Sequence, residues 1–156
     1  MKTKLAALAL TFMLTASFAL GHGGVELGPQ GGRILEFSKN ESMHGEVTVK
    51  DGKFHIAVLD KDMKPVALAD QSLTATGGTR QKPEKLTVEK TDTGFVLPAV
   101  EPGQWLIVQF KENAKAKAVT ARMEYDTSTC EACDAAEWVC KCTQNKEKTK
   151  DAKAEK

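Results

Sequence analysis

The stretch EVTVKDGKFHIAVLD, residues 46–60, decides the fold because it contains two alternating apolar runs joined by an Asp-Gly pair. This pair tolerates the positive φ angles of a two-residue turn, so the stretch predicts an antiparallel β-hairpin. The turn fixes the register and gives one apolar face, formed by Val47, Val49, Phe54, Ile56 and Val58. The opposite face carries Glu46, Thr48, Lys50 and His55. An isolated hairpin is marginally stable in water, so the apolar face requires a second layer to pack against.

Short alternating stretches continue on the C-terminal side of this hairpin, and one precedes it. They predict strands at residues 33–37, 72–76, 85–90, 94–97, 104–110 and 118–125, separated by glycine- and proline-containing turns. No run between them has helical periodicity. The pattern predicts an all-β fold over residues 22–126, a small antiparallel β-sandwich of the immunoglobulin-like type. The alternative is a small open β-barrel.

Residues 1–21 have the composition of a secretory signal peptide. Lys2 and Lys4 precede a run of Leu, Ala, Phe and Met, and small residues follow that run. Two cleavage sites fit this pattern, after Ala19 and after Gly21. No second apolar segment has spanning length, so we expect an exported, soluble protein without membrane insertion.

The charge balance and the absence of catalytic motifs argue against several function classes. Removing the two lysines of residues 1–21 from the 22 basic residues leaves 20, which stand against 21 acidic residues. This balance gives no reason to expect nucleic acid or an anionic membrane as a partner. No Ser/His/Asp set, phosphate-binding loop or framed pair of carboxylates is recognisable in the sequence. We predict that the protein is not an enzyme.

The motif that carries chemistry is C-x2-C-x6-C-x-C near the C-terminus. Its members are Cys130, Cys133, Cys140 and Cys142. One interpretation is two disulfides, which the oxidising compartment of an exported protein favours. The other is a site in which four thiolates bind a soft or borderline ion, copper(I) or zinc. Residues 127–142 form this Cys-rich segment, and the charged residues 143–156 predict a disordered tail.

The backbone path of the Cys-rich segment bears on both interpretations. Ser128 followed by Glu131 matches a capping box and predicts a short helix over residues 130–139. On an intact helix only neighbouring cysteines along the chain approach each other closely enough for a disulfide. Nested bridges, Cys133–Cys140 inside Cys130–Cys142, require the segment to fold as a loop.

His22 is a further candidate metal ligand. If Leu20 is the first mature residue, the N-terminal amine, two amides and the His22 imidazole form a set suited to copper(II) or nickel(II). If His22 is first, its amine and ring nitrogen chelate one ion as a bidentate pair. His44 and His55 lie about four residues apart along the predicted ladder, roughly 13 Å, and cannot share an ion. We expect both to be surface histidines.

Several sequence motifs together resemble a known family. They are HGG at residues 22–24, GPQGGRIL at 28–35, DGKFHI at 51–56, KP at 64–65 and SLTAT at 72–76. Over residues 22–125 the chain resembles the small N-terminal domain of periplasmic adaptor subunits in heavy-metal efflux systems of the resistance–nodulation–division type. The resemblance implies a β-rich periplasmic module beside copper, zinc, cobalt or silver export. It does not extend to the helical, lipoyl and barrel domains of the adaptors or to the cysteine motif.

Two functions follow from these observations. The leading prediction is a stand-alone periplasmic β-sandwich that binds or buffers a copper or zinc ion, with components of an efflux system as partners. The alternative is an envelope protein without a metal, whose sandwich mediates protein contacts and whose cysteines form two structural disulfides.

Overall fold

The computed structural model describes residues 25–142, which form two antiparallel β-sheets. The strands in this range are β1 (Arg33–Glu36), β2 (Met43–Lys50), β3 (Lys53–Asp60), β4 (Ser72–Gly78), β5 (Pro83–Leu86), β6 (Glu89–Lys90), β7 (Gly94–Pro98), β8 (Trp105–Lys111) and β9 (Val119–Glu124). Sheet A has the order β1-β2-β3-β7-β6, and sheet B has the order β5-β4-β8-β9. Two separate sheets around one core confirm the predicted β-sandwich.

Three predicted features lie outside the described residues. They are the signal peptide at residues 1–21, the candidate ligand His22 and the charged tail at residues 143–156. Among residues 25–142, no helix has the length and apolar composition needed to cross a membrane.

The hairpin of β2 and β3 has the register that its turn predicts. Val47 pairs with Ile56 and Val49 pairs with Phe54. Both turn residues have positive φ angles, 52° and 70°, as the two-residue turn requires. Val49 is nevertheless 36% exposed, whereas its partner Phe54 is fully buried. β1 pairs with β2 only as far as Val47, so β1 does not flank Val49.

The core lies between the two sheets and takes side chains from both. Its large members include Phe37, Phe54, Phe95, Phe110, Ile56, Leu97, Leu106 and Met123. The ring of Phe37 stacks on that of Phe110, with centroids 4.5 Å apart and planes 10° from parallel. Within the described range, this cluster includes none of the four cysteines. The core is therefore built without the cysteines, mainly from inward-facing residues of the strands.

Glu46 lies on the outward face of the hairpin, as predicted, but it is fully buried there. Its Oε1 accepts hydrogen bonds from the backbone N–H groups of Gln30, at 2.7 Å, and Gly32, at 3.0 Å. A Cβ at Gly28 would lie 2.5 Å from Glu46 Cδ, so the backbone approaches closely enough to require glycine. The glycine-rich segment before β1 is thus a cover for this carboxylate.

The prediction that His44 is a surface residue is wrong, since it is only 4% exposed. His44 lies opposite Glu36 in the β1–β2 ladder, and its Nδ1 is 3.1 Å from the Glu36 carboxylate. Its neighbour across the β2–β3 ladder, Leu59, is also buried. Alternation along a strand assigns a residue to a face, but it does not indicate whether other parts of the chain cover that face. His55, on the same strand pair, is half-buried.

The predicted strand at residues 85–90 is divided between the two sheets. Its first part, β5, pairs with β4 in sheet B, and its last part, β6, pairs with β7 in sheet A. The chain therefore crosses from one sheet to the other between Leu86 and Glu89.

Candidate metal centre

Residues 126–142, which we call the cysteine loop, follow β9 and double back on themselves. The backbone N–H of Cys130 donates to the carbonyl of Ala135 at 2.8 Å, and that of Glu137 donates to the carbonyl of Ser128 at 2.9 Å. Asp134, in the turn, has a φ of 57°, in the left-handed region that aspartate tolerates better than most residues. The result is a small hairpin whose exposed turn contains Cys133.

The predicted helix over residues 130–139 is wrong. Helical structure in the cysteine loop is limited to one 3-10 turn, Glu137–Val139. Ser128 does not cap a helix, because its hydroxyl and its N–H both donate to Asp126 Oδ1, at 2.6 and 3.0 Å. The hydroxyl bond and then the N–H bond hold the pKa of Asp126 below its ordinary value. A helix of about ten residues has little stability of its own, so these local hydrogen bonds and tertiary contacts decide the path.

The cysteine loop brings all four cysteine sulfurs together. The four Sγ atoms lie within 4.8 Å of one another, and those of Cys133 and Cys140 are 3.5 Å apart. A tetrahedral ion with metal–sulfur bonds of about 2.3 Å holds its sulfurs about 3.8 Å apart. None of the four cysteines in the described range is in a disulfide, whose sulfurs would be about 2.05 Å apart. The donor set and its spacing therefore fit a four-thiolate ion site.

Two observations describe the electrostatics of the cluster. The backbone N–H of Cys142 donates to the Sγ of Cys140 at 3.3 Å, an interaction that stabilises negative charge on that sulfur. Hydrogen bonds that the Cys142 thiol donates to the sulfurs of Cys133 and Cys140, followed by burial, raise the pKa of the Cys142 thiol to about 12. Four adjacent sulfurs do not all ionise readily, because like charges repel at this distance. A bound cation offsets that repulsion and takes the place of the thiol protons.

The four cysteines are not equally exposed. Cys130 and Cys140 are fully buried, Cys142 is half-buried and Cys133 is exposed. The residues on both sides of Cys133, from 131 to 134, are exposed as well. The cluster is thus buried at Cys130 and Cys140 and exposed to solvent at Cys133.

The cysteine loop docks on the sandwich through Trp138. The indole packs edge-on against the ring of Tyr125, with centroids 5.4 Å apart, and Tyr125 packs in the same way on the core residue Phe54, at 5.1 Å. Arg33 Nη1, from β1, donates a hydrogen bond to the carbonyl oxygen of Trp138 at 3.2 Å. Sequence reasoning missed this docking contact. The available signal was a lone aromatic residue in a segment of mostly small and polar residues.

The histidines do not join the cysteine cluster. His44 contacts Glu36 on sheet A, and neither His44 nor His55 belongs to the one group of potential metal ligands found in residues 25–142. They are therefore not placed to share an ion with the cysteines. His22 precedes the part of the chain that the structure describes, and its role as a ligand stays a prediction.

Comparison with known proteins finds no match for this chain. No protein-family model, curated protein or solved structure matches the chain. The interpretation of the cysteine loop consequently rests on its own geometry.

Proposed function

We propose that the protein binds one soft or borderline transition-metal ion through Cys130, Cys133, Cys140 and Cys142. The observation that carries this proposal is that all four Sγ atoms lie within 4.8 Å of one another. Thiolate sulfur is the ligand that copper(I) and zinc prefer, and a tetrahedral set of four suits zinc in particular. The ion would be held by the cysteine loop and would order it further.

The cellular setting of this activity is part of the proposal. The signal-peptide composition of residues 1–21 supports export, and the resemblance of residues 22–125 to metal-efflux adaptor domains supports the periplasm. We propose that the protein buffers copper or zinc there, beside a heavy-metal efflux system whose components are its partners. The sandwich carries no recognisable catalytic motif, so binding rather than turnover is the proposed activity.

The direct test is a titration of the reduced protein with zinc or copper(I), in competition with a chromophoric chelator and in a His22→Ala background. That background removes the N-terminal candidate site. We expect one ion per chain and release of thiol protons on binding. The apparent affinity should rise with pH, about tenfold per pH unit for each proton released, because ligands must lose protons to bind.

The controls are the single Cys→Ser variants and the oxidised wild-type protein. Each substitution should weaken binding sharply, because three thiolates leave one position of a tetrahedral ion open. The oxidised protein should not bind either ion through the cysteine loop. If the reduced His22→Ala protein binds neither zinc nor copper(I) tightly, the metal proposal for the four cysteines fails.

The alternative is an envelope protein in which the four cysteines form two disulfides. The observation in its favour is the 3.5 Å separation of the Cys133 and Cys140 sulfurs, which small side-chain movements would bring to bonding distance. The path as a loop also permits the nested pairing that a helix would forbid. Intact mass measured on protein purified from the periplasm under native and denaturing conditions separates the two functions. Disulfides lower the denatured mass, whereas a bound ion raises only the native mass.

A further inference from the structure

The cysteine cluster differs from a sealed structural metal site in one respect. A structural ion has four protein ligands and no open coordination position, so an incoming ligand must displace one of the four. Here Cys130 and Cys140 are buried, whereas Cys133 is exposed and lies in a turn, residues 131–134, that is exposed throughout. One metal–sulfur bond would therefore be open to attack from outside the protein.

We propose that the cluster is a transfer site, which exchanges its ion through Cys133 with a donor or acceptor that presents a thiolate. This inference rests on the proposed metal site and adds the route and the chemical class of the exchange partner. The partner is a thiol because a soft ion passes most readily between ligands of the same softness. The buried pair, Cys130 and Cys140, would hold the ion while the exposed ligand is replaced.

The exchange step is a ligand substitution without oxidation or reduction. The sulfur of the incoming thiol forms a bond to the ion and gives up its proton. The bond between the ion and Cys133 Sγ breaks, and Cys133 takes up a proton as it leaves. Charge and electrons balance, and the oxidation state of the ion does not change.

The surroundings of Cys133 favour a particular kind of partner surface. Its exposed neighbours Glu131 and Asp134 are acidic, and four thiolates around a monovalent or divalent ion keep a net negative charge. Basic side chains beside the partner's thiol would therefore be attracted to this turn, an effect that salt weakens. This predicts faster exchange at low ionic strength with a positively charged thiol than with a negatively charged one.

The test uses the full reduced chain with His22→Ala, loaded with zinc. Metal loss is followed with a chromophoric chelator while dithiothreitol is varied, and a parallel sample is alkylated with iodoacetamide and mapped by mass spectrometry. We expect the rate of zinc loss to increase linearly with dithiol concentration. We also expect Cys133 to be alkylated at least about tenfold faster than Cys130 or Cys140, because reactivity follows access to the sulfur.

As the matched comparison, the rate of zinc loss is measured with the same concentration of a carboxylate chelator that lacks sulfur. This rate should be lower than the rate with dithiothreitol. A rate of zinc loss that does not depend on dithiol would show that the ion leaves unassisted, and would overturn the proposal. Alkylation of all four cysteines at one rate would overturn it as well. Failure of the metal site itself would be visible earlier, as no zinc bound in the equilibrium titration.

Discussion

Replacing Trp138 by alanine tests whether the cysteine loop and the sandwich form one cooperative unit. The indole is the side chain of the loop that packs against the core residues, through its edge-on contact with Tyr125 at 5.4 Å. The substitution removes that contact and leaves the backbone carbonyl that accepts the hydrogen bond from Arg33. Trp138→Phe keeps an aromatic ring in the same place and serves as the matched control.

The size of the effect follows from the area that the indole buries. Trp138 is partly buried, so we take the lower end of the burial typical of tryptophan, about 150 Å². At roughly 25 cal/mol per Å² this area is worth about 4 kcal/mol, and the aromatic pair adds about 0.5–1.5 kcal/mol. Extended-chain areas overstate burial and the loop relaxes after truncation, so we expect a loss of about 2–4 kcal/mol in the free energy of unfolding.

The assay is urea unfolding of the reduced protein with and without zinc, followed by far-ultraviolet circular dichroism of the strands. An ion at 100 times its dissociation constant stabilises the native state by about 2.7 kcal/mol, provided that loop and sandwich unfold together. We expect this zinc-dependent shift in the wild type and in Trp138→Phe, and we expect it to disappear in Trp138→Ala. Equal unfolding midpoints for wild type and Trp138→Ala would show that the indole contributes nothing to the stability of the sandwich. A zinc-dependent shift that survives in Trp138→Ala would show that the coupling runs through another contact.

Three further predictions concern the hairpin, the buried carboxylate and oxidation. Phe54→Ala should lower the free energy of unfolding by about 3–5 kcal/mol and His55→Ala by no more than about 0.5 kcal/mol in urea titrations; equal losses would contradict the observed register. Glu46→Ala removes the acceptor for the backbone N–H groups of Gln30 and Gly32, of which the Gly32 bond is buried, so thermal and urea unfolding should show a loss of at least about 1–3 kcal/mol, with a smaller loss in Glu46→Gln. Mild oxidation of the metal-free protein with a disulfide reagent should join Cys133 to Cys140 first, because their sulfurs are 3.5 Å apart. Peptide mapping that finds a different first bridge would contradict the loop geometry.

Local chemistry made the central hairpin predictable from the sequence. The Asp-Gly turn and the alternation around it fix the pairing of Val47 with Ile56 and of Val49 with Phe54 without help from distant residues. The sheet to which each strand belongs could not be predicted in this way. Nothing in the alternation of residues 85–90 indicates that the chain leaves one sheet for the other within this stretch. That crossing depends on which strands are available to pair on each side, which is a property of the whole fold.

Strand periodicity could not predict which outward-facing residues of sheet A are buried. Glu46 occupies an outward position in a sequence pattern that places charged residues in solvent. In the structure, backbone N–H groups of Gln30 and Gly32 satisfy its carboxylate, so the usual penalty for burying an acid is offset by hydrogen bonds. The glycines at positions 28 and 32 permit the close approach to Glu46, but nothing in the sequence indicates that this residue is their partner.

The cysteine loop shows how the identity and the arrangement of a site have different origins. The spacing C-x2-C-x6-C-x-C identified the four cysteines as one group, whatever the backbone path between them. The structure brings their sulfurs together. The path itself is set by contacts outside the motif: Asp126 binds both donors of Ser128, and Trp138 packs on Tyr125. These contacts hold the loop against the sandwich, whereas residues 131–134 remain exposed. The docked loop therefore buries Cys130 and Cys140 and leaves Cys133 exposed. Without the sandwich, metal binding alone would have to offset the conformational entropy lost when a loop of this length becomes ordered. Under the proposed function, anchoring at Trp138 would lower that requirement and leave more of the binding energy for holding the ion, which would then be exchanged at Cys133.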